Sequence, residues 1–155
     1  MERYFKCVVL LVFIVIAQMC LCANSNVPCI EQERQALLDF KASISQNSSN
    51  RLSSWKGTHC CQWDGIRCHN VTGHVLKLDL RNPCYLPSWV LREREVYHYF
   101  RYGLSLIAPN VSSSLLQLEH LTYLDLSGND FCGSSIPMFI GSMEHLEYLS
   151  LSCFF

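Results

Sequence analysis

The stretch "LEHLTYLDLSGNDFCGSSIPMFIGS", residues 118–142, runs directly into "MEHLEYLSLSCFF", residues 143–155. Set 25 residues apart, the two match Leu118 with Met143, His120 with His145, Leu121 with Leu146, Tyr123 with Tyr148, Leu124 with Leu149 and Leu126 with Leu151. A period of that length means stacked coils, because a single unit cannot bury its apolar face alone and a neighbour must cover it. Within each unit the leucines alternate, so they point into the core while the residues between them face solvent on a short parallel strand. Asn129 follows the strand. Turned inward, its side chain can bind backbone groups freed by the bend, where an apolar side chain would be hard to accommodate.

This period and leucine spacing are those of a leucine-rich repeat solenoid. The earlier segment "HVLKLDLRN", residues 74–82, has the same register, with Val75, Leu78 and Leu80 matching Leu121, Leu124 and Leu126. Strands are therefore expected near 75–80, 121–126 and 146–151, within a repeat region spanning 73–155. Gly73 suits the turn that starts the first of them. Leu78 and Leu124 lie 46 residues apart, slightly short of two repeats. The first part of that interval has lost the leucine spacing and is rich in aromatics and alternating charges, so residues 81–103 read as an island or elongated loop.

Upstream, "CIEQERQALLDFKASISQNSSN" carries Ile30, Leu37, Phe40, Lys41 and Ile44 at helical spacing, with Leu38 beside them. Glu31 and Glu33 stand in the first turn, where they favour the positive end of the helix dipole. The spacing predicts an amphipathic helix over 30–45, ended by the polar cluster 46–50. "RLSSW" then returns Leu52 and Trp55 to an apolar surface.

The chain opens "MERYFKCVVLLVFIVIAQMCLCANS". Arg3 and Lys6 form a short basic region, Cys7 to Ala17 an unbroken apolar run, and small residues follow, which is the order of a secretory signal peptide over 1–23. The cut falls after Cys22 or after Ala23. An uncleaved anchor over Cys7 to Ala23 would be shorter than the roughly 20 residues a spanning helix prefers. No membrane span is expected in the mature chain. Secretion means an oxidising compartment, in which neighbouring cysteines become disulfides. Of ten cysteines, those beyond the leader are Cys29, Cys60, Cys61, Cys68, Cys84, Cys132 and Cys153, an odd number that leaves at least one free or joined to another chain. Sequons at Asn47, Asn70 and Asn110 fit a glycosylated extracellular protein. A formal charge of -1 gives no field favouring nucleic acid.

"HCCQWDGIRC", residues 59–68, places three cysteines in ten residues. Read alone it is a metal site, a reactive thiol pair or a covalent staple. Zinc held with His59 or His69 lacks paired C-x-x-C spacing and needs a reducing setting.

Taken in order, "ERQALLDFKASI", "LSSW", "CCQWDGIRC", "GHVLKLDLRN" and "LTYLDLSGNDFCGSSIPMFIGS" resemble the start of plant extracellular leucine-rich repeat receptor-like proteins. The resemblance implies an N-terminal cap over 24–72, with Cys29 joined to Cys60 and Cys61 joined to Cys68. The expected fold is thus an α/β solenoid: leucine-rich repeats behind a disulfide-stapled helical N-terminal cap, short and lacking a C-terminal cap. A cap is required because the first coil would otherwise expose an apolar edge. Trp63 is expected to cover that coil, and Gly65 to permit the tight backbone.

The resemblance also implies a cell-surface sensor, reached through the secretory pathway. Its members bind a protein, peptide or glycan on a concave face and signal through a partner receptor kinase; full-length relatives lie in the plasma membrane. The solvent-facing strand positions are Lys77, Asp79, Arg81, Thr122, Tyr123, Asp125, Glu147, Tyr148 and Ser150; with so few coils the favoured reading is plain solvated sheet residues, since a binding surface normally needs several stacked repeats. His120 and His145 read as repeat-surface residues. The island aromatics Trp89, Tyr97, Tyr99, Phe100 and Tyr102, near Arg92, Arg94 and Arg101, read as a contact patch or as packing against the cap.

Family members continue through many repeats to a membrane helix. This sequence stops at "LSLSCFF", with Phe154 where the register calls for asparagine. An N-terminal piece of a longer receptor-like protein is expected, in defence or developmental signalling; the alternative is a short secreted decoy or an inhibitor of a microbial cell-wall hydrolase, since inhibitors of polygalacturonases share a similar cap. No enzyme, cofactor or metal is expected. No phosphate loop or G-x-S-x-G elbow occurs, and Asp125 with Glu147 would sit on an open surface.

Overall fold

A computed structural model of the chain describes residues 27–47, 50–82, 105–131 and 135–152. The leader, the body of the aromatic island, Cys84, Cys132, Cys153 and Phe154 lie outside the described residues. The helix α1 spans Glu31–Ser43, shorter at each end than expected because Ile30 and Ile44 already have extended backbone angles. Its buried face is Glu33, Ala36, Leu37 and Phe40, the i, i+3, i+4, i+7 stripe of an amphipathic helix. This face packs toward a 3₁₀ turn at Ser113–Gln117.

Among the described residues six strands follow in chain order: β1 (Gln46–Asn47), β2 (Ile66–Cys68), β3 (Val75–Asp79), β4 (Leu106–Ile107), β5 (Tyr123–Asp125) and β6 (Tyr148–Ser150). One sheet runs β2-β3-β5-β6, and a second pairs β1 with β4. β2 and β3 form an antiparallel hairpin, whereas β3, β5 and β6 are parallel and in register, Leu78 beside Leu124 and Leu124 beside Leu149. The leucine alternation thus reads directly as stacked coils. Val75, Leu78, Leu121, Leu124 and Leu126 are all buried.

The direct pairing of β3 with β5 explains the 46-residue interval. Among the described residues no strand stands between them in the sheet. The returning end of the interval supplies β4, which pairs antiparallel with β1 just after the cap helix and bridges Asp130 through Ile107.

Beneath the strands, Asn129 is 3% exposed. Its Nδ2 donates to Leu80 O (2.8 Å) and Leu126 O (2.9 Å), and its Oδ1 accepts from Leu106 N (3.1 Å) and Arg51 (2.9 Å). One carboxamide therefore links the cap segment, two coils and β4, and all of its hydrogen-bonding capacity is used. Asn82, one coil earlier, stands in register with Gly128 rather than with Asn129, and its side chain donates to Gly128 O (3.1 Å).

The cap closes the other end. Cys29 is bonded to Cys60 and Cys61 to Cys68, each with a Cα–Cα distance of 5.5 Å. Cross-links of this kind contribute on the order of 2 to 4 kcal/mol each. Trp55 and Trp63 stack with ring centroids 5.5 Å apart, and both are buried. Their indole N–H groups donate to Asp64 O and Lys56 O, so the large rings enter the core without an orphaned donor. Gly65 has φ +83°, and a Cβ there would lie 2.5 Å from Asp79 O on β3.

Two stability predictions follow from these contacts. Asn129→Leu strands the Leu106 N–H and the Leu126 carbonyl in the interior, while Leu80 O keeps Arg51, at about 1–3 kcal/mol for each stranded group; chemical denaturation should show a loss of unfolding free energy of that size, and an unchanged midpoint would contradict the assignment. Gly65→Ala combines left-handed strain with backbone overlap and should cost about 1–3 kcal/mol, read as a lower melting temperature.

Candidate functional site

Parallel register turns sequence periodicity into rows. Lys77, Tyr123 and Tyr148 occupy one row across β3, β5 and β6; Asp79, Asp125 and Ser150 occupy the next of the same face. The first row is a physical stack. Lys77 Nζ lies 4.0 Å from the centre of the Tyr123 ring, and the Tyr123 and Tyr148 rings are stacked with centroids 4.2 Å apart and planes nearly parallel at 6°. Cation–π attraction and ring stacking favour this geometry.

The second row is less open than its alternation suggests. Asp125, expected to face solvent, is 3% exposed. Its Oδ1 accepts from the Ser127 backbone N–H (3.0 Å) and hydroxyl (2.6 Å), and its Oδ2 from the Tyr123 hydroxyl (3.3 Å). Its acceptors are thus used within the coil. Glu147 is exposed and stands opposite Thr122, to whose carbonyl its N–H donates (2.8 Å). Asp125 pairs instead with Ser150, so the two carboxylates are three register steps apart, about 10 Å along the strand, and do not form a pair.

At the cap end of the face, Asp79 is flanked by Lys77 (3.2 Å) and Arg81 (3.0 Å). Beside them opens a cleft of about 410 Å³ that Arg51 and Arg67 also line. Four cationic side chains against one carboxylate make this end of the face positive. Arg51 is held by Asn129, Leu80 O and Arg81 O, so it brings charge to the cleft while its donors bind the fold. Sequence reasoning did not select Arg51 or Arg67. Arg67 was detectable as the outward residue of "IRC", but only the antiparallel hairpin puts that strand beside β3.

Burial, followed by the nearby Asp125 and Asp79 carboxylates, pushes the Tyr123 phenol up to about 12. Of the sequon asparagines, Asn70 and Asn110 are exposed, and Asn47 lies in β1. The Sγ atoms of Cys29, Cys60 and Cys61 lie within 4.8 Å of one another, but each is committed to a disulfide and so is not a thiolate ligand. Among the described residues no helix is long and apolar enough to cross a membrane.

The family described as "Leucine rich repeat N-terminal domain" matches residues 30–69. The chain is 45% identical over 129 residues to "Receptor-like protein EIX2" of Solanum lycopersicum, covering 80% of this chain and 11% of that protein. It is 39% identical over 140 residues to "Receptor-like protein EIX1" of the same plant, covering 82% of this chain and 12% of that one. Among solved structures it is similar to the BIR2 ectodomain of Arabidopsis thaliana, at 24% identity and a TM-score of 0.43, with 78% of this chain and 67% of the other covered. The chain spans about a tenth of the length of the curated relatives it matches. These relatives give no support to the alternative of a secreted decoy or hydrolase inhibitor.

The half-buried position of Tyr123 is measurable by ultraviolet titration of phenolate. Subtracting the Tyr123→Phe curve from the parent curve should leave a transition near pH 12, against about 10 for an ordinary tyrosine. A difference transition centred near pH 10 would mean that the stack is open to water.

Proposed function

We propose that the chain belongs with the plant leucine-rich repeat receptor-like proteins it resembles, and that it is a non-catalytic extracellular recognition module whose concave strand face binds a protein, peptide or glycan. In this reading the leader over 1–23 is removed in the secretory pathway, 24–72 forms the cap and 73–155 the repeats. Asn47, Asn70 and Asn110 carry glycans. The whole receptor acts in defence or developmental signalling through a partner receptor kinase.

The observation that carries the reading is the ordered row Lys77–Tyr123–Tyr148. Pre-stacked aromatic and cationic side chains on a rigid sheet lose little conformational freedom when a ligand docks, and residues of this type dominate recognition surfaces. Arg81, 59% exposed beside Asp79, and the exposed Glu147 extend the face at its two ends. A binding role is also favoured over a hydrolytic one by the engagement of Asp125 with Ser127 and its separation from Glu147.

The test is capture from extracellular microbial and cell-wall fractions by the chain secreted from plant cells. A variant carrying Lys77→Ala, Tyr123→Ala and Tyr148→Ala should lose at least tenfold in capture while retaining its disulfides and secretion. Equal capture by parent and variant would remove the ligand role from this face.

A further inference from the structure

Outside the concave face, the strand register builds a second row, made of imidazoles. His74, His120 and His145 each precede a strand of the parallel sheet. The rings of His74 and His120 are 4.0 Å apart, and those of His120 and His145 are 5.9 Å apart and near parallel at 11°.

The row begins at a buried carboxylate. Glu33 of α1 is 3% exposed, and its oxygens contact Val75 N (2.7 Å) and His74 Nδ1 (2.8 Å). An ionised carboxylate only accepts, so Nδ1 of His74 carries the proton and, in the neutral ring, Nε2 carries the lone pair. A carboxylate holding one imidazole nitrogen so that the other is a ready donor is the usual support of a metal-binding histidine. His74 remains about one third exposed, and His120 and His145 are exposed, with only ring contacts among the described residues.

We propose that His74 and His120 bind a divalent transition-metal ion of the zinc class, with Glu33 as the positioning residue behind His74. Imidazole nitrogens bind such ions at about 2.0–2.1 Å, so two of them on one ion lie within about 4 Å of each other. Exposed side chains change rotamer in picoseconds to nanoseconds, so His120 can turn a nitrogen toward the ion within the present ring spacing. His145 is the next donor along the row, and Glu119 and Glu144 beside it add negative charge that attracts the cation. Imidazole donors select zinc, copper or nickel over magnesium, which prefers oxygen.

The experiment is a calorimetric titration of the disulfide-intact chain with Zn²⁺, and separately with Mg²⁺, at neutral pH, repeated with His120→Gln. His120 is exposed and outside the core, so the variant should match the metal-free parent in melting temperature. Parent binding of Zn²⁺ should be at least tenfold tighter than that of His120→Gln, and Mg²⁺ should not bind detectably. A zinc-dependent rise in melting temperature, present in the parent and absent in the variant, gives a second readout. Equal Zn²⁺ binding by parent and variant, or Mg²⁺ binding as tight as Zn²⁺, would overturn the proposal.

Discussion

The side chain of Asn129 is the point on which the architecture turns. A coil of this solenoid bends sharply after each strand, and the bend leaves backbone groups facing inward with no partner in the parallel ladder. Buried peptide groups must be paired, and water does not reach them there. Asn129 serves Leu80 O, Leu126 O and Leu106 N, while Arg51 anchors the cap segment to the same carboxamide. Removing it would disconnect three parts of the chain that are far apart in sequence. Asn82, buried at the end of the preceding coil, adds a separate tie between coils by donating to Gly128 O.

Given such coils, the cap follows as a necessity. The first coil has no preceding neighbour, so its apolar side is closed by the Phe40, Trp55 and Trp63 group and by the β2–β3 hairpin, which terminates the parallel sheet in antiparallel pairing. The two disulfides fix α1 and the knot around this hairpin. Glu33 adds a polar tie between helix and first strand, with both carboxylate oxygens occupied. At the opposite edge of the described sheet, β6 leaves Leu149 42% exposed and Tyr148 44% exposed, apolar surface of the kind another coil or a ligand covers.

The repeat was legible because its leucines obey two periods at once, the alternation within a strand and the 25-residue spacing between strands. Asn129 was legible for a related reason: a polar residue in an otherwise apolar register needs a backbone partner. The disulfide pairing required the family resemblance, since spacing alone left metal, thiol and staple open. Properties that depend on tertiary closure were not legible. Asp125 sits at an outward position by alternation, yet it is buried and bound by Ser127 and the Tyr123 hydroxyl. Glu33 reads as a first-turn acid suited to the helix dipole, whereas its place in the 33-36-37-40 stripe turns it into the core. Arg67 joined the positive cleft only through the hairpin. Each of these depends on which neighbour covers a side chain, and a linear pattern does not encode that.

The recognition face and the imidazole row both rest on the same parallel register, held from beneath by the asparagine hub. Native-state amide hydrogen exchange tests that dependence most directly. The account predicts that the Leu106 N–H, whose acceptor is Asn129 Oδ1, exchanges with the same free energy as the core amides of β3, because cap, coils and β4 open together. Rapid exchange at Leu106 while Leu78 stays protected would contradict it, showing that β4 and the cap segment open independently of the coils.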